Sequence, residues 1–373
     1  MNTPIPPARS DVTMRAGLLT APRVLDPQAR LAVPRPGPGE LLVRVLASGI
    51  CGSDLAAYRG THPYKVAPIV LGHEFCGTVT EIGGELGADD GEFALGDLVC
   101  SAAFSPCDTC VECRRGAPHL CTDRRNLSHE GWQGSFAEYV LLRRNMTHRL
   151  PPGTDPVAGA LVEPLSIGLH AVRLAGPGAG RSVAVLGSGT IGLSCLLAAR
   201  RLGFGPAVCV DAGPAKARLA EAAGAAGYVD ARTGSPSPAE VAELVCGRLG
   251  GERAETVFVS AGYPGVLDQA VAALRPGGTI VVVSYFDAPV PADLNALVGR
   301  EARVLFSSLS VPDDFRRVIS WLADGTLDPL PLVTHHFPLD DVEEAMSVLD
   351  SPAPPAAHTA PTGKVMLRIG GAA

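Results

Sequence analysis

Between Met14 and about Leu150, short apolar-polar runs such as LLVRVLASGI (41–50), CGTVTEIG (76–83) and FAEYVLL (136–142) are separated by Gly- and Pro-rich turns, PRPGPGE at 34–40 among them. Successive side chains of a strand point to opposite faces, so this rhythm predicts a β-rich, barrel-like unit with few helices. Near Asp155 the texture changes. Pro156 to Ala175 reads as one helix, and from Arg181 continuous apolar runs alternate with longer Ala-rich stretches. SVAVLG, PAVCVD, ETVFVSAG and GTIVVVSY lack a polar face, as parallel strands buried on both sides do. KARLAEAAGAAG and VLDQAVAALRPGG, each ending in glycine, read as the helices between them. Beyond about Leu309, DDFRRVISWLADG and LDDVEEAMSVLD predict two amphipathic helices and GKVMLRI a closing strand, with SPAPPAAHTAPTG as a surface loop.

A chain of 373 residues exceeds the size at which one core keeps growing. The predicted fold class is α/β, a β-rich unit joined to a doubly wound parallel-sheet unit. The expected divisions are a leader at 1–13, a first domain at 14–170, a nucleotide-binding domain at 171–308 and a C-terminal return to the first domain at 309–373. Net charge of -7 points away from nucleic acid and anionic membranes and toward a small-molecule partner. No apolar run is long enough to span a membrane, and MNTPIPPARSDVT lacks the apolar core of an export signal. A cytoplasmic setting is therefore expected, in which the ten cysteines read as metal ligands or buried thiols and not disulfides.

The strand SVAVL runs into Gly187, Ser188, Gly189, Thr190, Ile191 and Gly192, then into a helical stretch. This is G-x-G-x-x-G. Gly187 suits the tight turn, Gly189 the approach of a pyrophosphate, and Gly192 close helix-to-strand packing. The phosphates would lie at the helix N-terminus, where unpaired N–H groups favour an anion. The next strand ends in Asp211, placed to bind an adenosine ribose diol and to repel a 2′-phosphate, so NAD is expected over NADP. Lys216 and Arg218 are the cations that would favour NADP instead. Leu186, Thr190, Ile191 and Ser260 are expected at the cofactor through backbone or packing.

Cys107, Cys110, Cys113 and Cys121 fall within fifteen residues as C-x2-C-x2-C-x7-C. Four thiolates satisfy the tetrahedral preference of Zn²⁺ and leave no open position, so this zinc is structural. A second constellation is Cys51 in GICGSD, His73 and Glu74 in VLGHEFCG, and Glu163 in ALVEPLSIGLHAV. Sulfur, nitrogen and carboxylate oxygen form a mixed shell suited to a catalytic zinc with an open position. Of the remaining cysteines, Cys76, Cys100, Cys195, Cys209 and Cys246 read as core thiols.

In order, GICGSD, VLGHEFCGTVTEIG, LGDLV, the cysteine loop, GSFAEYV, VEPLSIGLHAV, VLGSGTIGL, RPGG and GKVMLRI resemble the zinc-containing medium-chain alcohol dehydrogenase family from about Met14 to Ile369. The resemblance implies a GroES-like catalytic domain and a Rossmann domain. It implies Cys51 and His73 as catalytic zinc ligands, with Glu74 and Glu163 either binding zinc or holding its water. Glu163-Pro164-Leu165 matches the branch that includes sorbitol and butanediol dehydrogenases. Ser53 matches the hydroxyl that accepts the alcohol proton, and also fits a turn serine. Asp54 matches the group that orients a metal-bound imidazole, and equally fits a cap of the following turn. The family is typically dimeric or tetrameric.

Two positions depart from the family pattern. Ala56 replaces a relay histidine, leaving His62 or Tyr58 as the expected proton exit, and Phe306 is followed by Ser307 and Ser308 where sorbitol dehydrogenases carry an arginine-tyrosine pair. The run AAYRGTHPYKVAPIVLGHE is similar to branches acting on threonine-like, butanediol-like or aminocyclitol substrates. The expected reaction is oxidation of a secondary alcohol of a polyol, cyclitol or aminocyclitol, 2-deoxy-scyllo-inosamine being a candidate. The alternatives are 2,3-butanediol or L-threonine oxidation, ketone reduction, and a nucleotide-sensing protein without catalysis.

Overall fold

The computed structural model describes residues 12–84, 92–231, 236–350 and 362–370. The leader up to residue 11 and residues 351–361 of the Pro/Ala-rich loop lie outside the described residues. The chain forms two compact units, one of residues 12–163, 315–350 and 364–370, the other of 164–314 with 362 and 363.

In the first unit, strand Glu40–Gly49 is the organiser, since three strands pair with it. Glu74–Ile82 runs antiparallel along it, Tyr139–Arg143 pairs with its first half, and the closing strand Lys364–Arg368 pairs with its last residues. Strand Val333–Pro338 adds parallel to the closing strand, while Leu98–Ser101 and Thr147–Arg149 extend the other side. A separate sheet joins Val24–Ala32, Thr13–Ala21 and Ile69–Val70. Val24–Ala32 and Val333–Pro338 are among the strands that the sequence pattern does not mark. Val24–Ala32 contains Pro27 and survives because it is a sheet edge, where a missing N–H costs nothing; Val333–Pro338, with two histidines and a terminal proline, has no alternation to reveal it. The core gathers Leu19, Leu42, Ile50, Val70, Leu71, Phe136 and Val365 between the sheets.

The second unit holds a six-stranded, all-parallel sheet. Its strands are Val183–Leu186, Ala207–Asp211, Gly227–Asp230, Ala254–Val259, Leu274–Val282 and Arg303–Phe306, arranged third, second, first, fourth, fifth, sixth. This is the doubly wound order, with the reversal beside the first strand, where nucleotides bind. The α/β class and the Rossmann arrangement follow from the pairing itself.

Two helices differ from the pattern. The single helix expected over 156–175 is two, Pro156–Ala160 and Val162–Leu174, separated at Leu161. Pro164 has no N–H and its ring clashes with the carbonyl four residues back, so the chain restarts a helix in which Pro164 sits in the first turn. The helix expected through RPGG ends at Ala273, and Leu274 already belongs to the next strand. Pro276 disfavours the helical region for Arg275 and pushes the segment into extended backbone.

Candidate metal and cofactor sites

Cys51 is the N-cap residue of helix Gly52–Tyr58, and Glu74 opens strand Glu74–Ile82 directly after His73. Gly72 precedes His73 with φ +96, and a Cβ there would lie 2.4 Å from the Phe136 ring, so only glycine makes this turn. The turns bring one donor atom each of Cys51, His73 and Glu74 within 4.8 Å of one another. His73 and Glu74 are buried and Cys51 is half-buried.

Asp54 joins the two turns. Its Oδ2 accepts the Cys51 N–H at 3.1 Å and its Oδ1 the Gly72 N–H at 3.3 Å. The carboxylate that caps the turn also faces His73 Nδ1 at 3.5 Å, so one side chain borders both turns. Although Asp54 is fully buried, which opposes ionisation, Lys65 and His73 hold it far below the usual carboxylate range. His73 is moved the other way: burial and Lys65 push its imidazole down, and Asp54 overrides both, raising it to about 10.

Glu163 is buried too, yet its carboxylate is not part of the three-donor cluster. Burial, with the Glu74 charge, raises it to about 7. Lys364, 2% exposed, is ion-paired to Glu74 Oε2 and donates to the Ile50 carbonyl at 2.9 Å. Burial pushes Lys364 down, but Glu74 and Cys51 keep it raised. Ser53 is half-buried, and its Oγ accepts from Lys65 Nζ at 3.0 Å. His62 is turned to the backbone instead, its Nδ1 accepting the N–H groups of Tyr64 and Lys65, while burial and Lys65 lower it to about 4. Tyr58 is buried, and burial raises its hydroxyl. Sequence reasoning missed both lysines. Lys364 reads as the first residue of an apolar strand and Lys65 as a turn lysine, with no local signal that either is buried.

The four-cysteine loop also converges, with one Sγ of each residue within 4.8 Å of the others. Cys107 Sγ accepts the Cys110 N–H at 3.3 Å, Cys110 Sγ the Cys113 N–H at 3.5 Å, and Cys121 Sγ the Cys107 N–H at 3.3 Å. Such N–H···S bonds favour thiolates. Hydrogen bonds from Thr109 and the backbone lower Cys107 to about 6, while burial raises Cys113 to about 12. The donor set and its geometry fit a tetrahedral zinc. Elsewhere, Cys76, Cys100, Cys195 and Cys209 are buried thiols and Cys246 is half-buried.

In the second unit, the three glycines do three different jobs. Gly187 has φ +104. A Cβ on Gly192 would lie 1.9 Å from the Gly187 carbonyl oxygen, whereas one on Gly189 would meet nothing within 4 Å, which leaves open space at the N-cap of helix Thr190–Arg201. Ser260 braces the turn: its Oγ donates to the Gly187 carbonyl at 2.8 Å. Asp211, at the end of its strand, accepts the N–H of Ser188 at 2.5 Å and of Ala212 at 2.6 Å. Lys216 Nζ is directed to the Thr362 carbonyl at 2.5 Å, and burial lowers its ammonium.

The sequence matches the alcohol dehydrogenase GroES-like domain over residues 37–152 and the zinc-binding dehydrogenase family over 190–324. A sorbitol dehydrogenase of Halalkalibacterium halodurans is 31% identical over 85% of this chain and 90% of its own. An L-idonate 5-dehydrogenase of Vitis vinifera is 31% identical over 84% and 85%. The structure of a zinc-binding dehydrogenase from Sinorhizobium meliloti, bound to NADP, superposes with a TM-score of 0.84 at 32% identity, covering 96% of this chain and 100% of that one.

Proposed function

Because the chain belongs to the zinc-containing medium-chain alcohol dehydrogenase family, and is thereby a zinc-dependent, NAD(P)-dependent enzyme, we propose that it oxidises a secondary alcohol of a polyol or sugar-derived substrate to the ketone. The observation that carries this reading is the convergence of Cys51, His73 and Glu74 from two separate turns.

Cys51 and His73 would hold a zinc ion, with Glu74 and Glu163 as the carboxylates that bind it or hold its water. Zinc in such a shell acts as a Lewis acid that makes a hydroxyl easier to deprotonate. Ser53 is the group we assign to receive the substrate's hydroxyl proton. Asp54 orients the His73 ring, and Lys364, paired with Glu74, balances a carboxylate that would otherwise be an isolated buried charge.

We place the dinucleotide at the turn of Gly187, Gly189 and Gly192, with its pyrophosphate over the N–H groups of Thr190 and Ile191. NAD is the favoured form. Asp211 repels a 2′-phosphate, and Lys216, committed to the Thr362 carbonyl, is not turned to receive one. Within the polyol class we narrow the proposal to cyclitols and aminocyclitols, 2-deoxy-scyllo-inosamine among them. The Phe306-Ser307-Ser308 segment supports a substrate other than sorbitol, since sorbitol dehydrogenases carry an arginine-tyrosine pair there, and Ala56 departs from the relay histidine of the wider family.

We further assign a cytoplasmic setting, which keeps the zinc-binding thiols reduced, and a homodimer or homotetramer. The sixth strand, Arg303–Phe306, is a sheet edge, and Tyr285, Leu294, Val298 and Phe306 around it are 68–80% exposed. The deciding experiment counts zinc per subunit and screens NAD⁺ reduction over polyols, vicinal diols, threonine and aminocyclitols. Two zinc ions with turnover on a cyclic polyol support the reading; one zinc without turnover overturns it.

A further inference from the structure

Lys65 is 9% exposed, and its ammonium meets residues of both metal-site turns at once. Nζ lies 2.7 Å from Asp54 Oδ1 and 3.0 Å from Ser53 Oγ, on the helix that follows Cys51. It also lies 3.2 Å from His73 Nδ1, on the turn that carries the histidine and Glu74. Its neighbours Tyr64 and Val66 point outward, 65% and 67% exposed, so the loop turns one cation inward between two solvent-facing side chains.

We propose that Lys65 is a positioning residue for the catalytic metal site, a cation that locks the Cys51 turn to the His73 turn through Asp54; this rests on the zinc reading given above. The carboxylate at its centre is wholly buried and already serves two backbone donors, the N–H groups of Cys51 and Gly72. A buried carboxylate holds such a place only when its charge is compensated. Lys65 supplies that charge from within hydrogen-bond distance, donating to Asp54 Oδ1 and to Ser53 Oγ. With Nδ1 of His73 committed to this cluster, Nε2 is the nitrogen left to take an ion, and its direction is set by the carboxylate that Lys65 holds in place. Lys65 thus acts on the metal through Asp54 and His73, without itself touching it.

The test is zinc retention by the full-length protein as it is titrated with a chelator, read alongside the visible spectrum after exchange with Co²⁺. The four-cysteine loop is an internal control in the same molecule, because none of the Lys65 contacts involves it. We expect Lys65→Met to release the zinc of the Cys51/His73 site at about 10- to 100-fold lower chelator concentration, the loss usual for groups that orient ligands. The loop zinc leaves as in the wild type, and the Co²⁺ bands of the catalytic site shift. Lys65→Arg, which keeps the charge, restores most of the retention. Lys65→Gln, which keeps a donor without the charge, moves the release in the same direction as Lys65→Met and serves if that variant does not fold. Wild-type release and wild-type Co²⁺ bands in the neutral variants overturn the proposal. A wild-type protein that holds zinc only at the loop overturns the catalytic reading itself, a result distinguishable from failure of Lys65 alone.

Discussion

Asp211 and Asp230 are register partners at the carboxyl ends of adjacent parallel strands, and both carboxylates accept backbone N–H groups of the turns beside them. Asp211 takes those of Ser188 and Ala212, and Asp230 takes that of Gly213 at 2.7 Å. Two negative charges therefore border the place where the adenosine ribose is expected, one strand-width apart.

Replacing Asp211 with glycine is expected to remove the proposed ribose contact and half of that negative field. A hydrogen bond to a charged group contributes about 1.5–3 kcal/mol, so kcat/KM with NAD⁺ falls roughly 10- to 100-fold. The NADP⁺ value rises or holds. Steady-state kinetics with both cofactors measure the ratio, and an unchanged ratio would remove Asp211 from cofactor choice.

Gly192→Ala forces a methyl group against the Gly187 carbonyl oxygen, a backbone atom that cannot swing aside. Overpacking of this kind costs about 1–3 kcal/mol. The KM for NAD⁺ rises and the melting temperature drops. Gly189→Ala, where a Cβ meets open space, leaves stability unchanged and weakens cofactor binding only. Thermal melts and cofactor titration of the two variants separate packing from ligand access.

At the zinc sites, Cys113→Ser and His73→Ala each leave about one zinc per subunit out of about two, but with opposite consequences. The loop variant loses stability and keeps measurable turnover at low temperature. The His73 variant keeps its fold and loses kcat/KM by on the order of 10³-fold, as expected when a Lewis acid worth several kcal/mol is removed. Metal analysis paired with activity assays distinguishes them.

Asp314 offers a pH test in the second unit. It is fully buried, accepts from His170 Nδ1 at 2.8 Å and Arg173 at 2.5 Å, and receives the Val311 N–H at 3.0 Å. Burial opposes its ionisation, but the bonds from His170, Val311 and Arg173 outweigh it and hold it below 3.8. A depressed carboxylate contributes stability that is full above its unfolded value and is lost as pH falls through the folded one. Asp314→Ala should therefore cost about 3–5 kcal/mol at neutral pH, and the gap to wild type should narrow below pH 3.8. Urea denaturation across that range checks the sign.

Residue order alone determined the parts that depend on local chemistry. Glycine spacing at 187 and 192 marks a turn whose backbone needs glycine at those two positions, the cysteine spacing from 107 to 121 brings four thiols together in one short loop, and unbroken apolar runs mark strands covered on both faces. Tertiary structure decided what depends on distant residues meeting. Lys364 reaches Glu74 and the Ile50 carbonyl because the closing strand pairs beside Gly49, more than three hundred residues upstream in the chain. Lys65 turns inward only because a buried Asp54 is there to receive its charge, a pairing that no periodicity encodes. The same holds for strand Val24–Ala32, whose proline is tolerable only at an edge, and edges exist only once a sheet has formed.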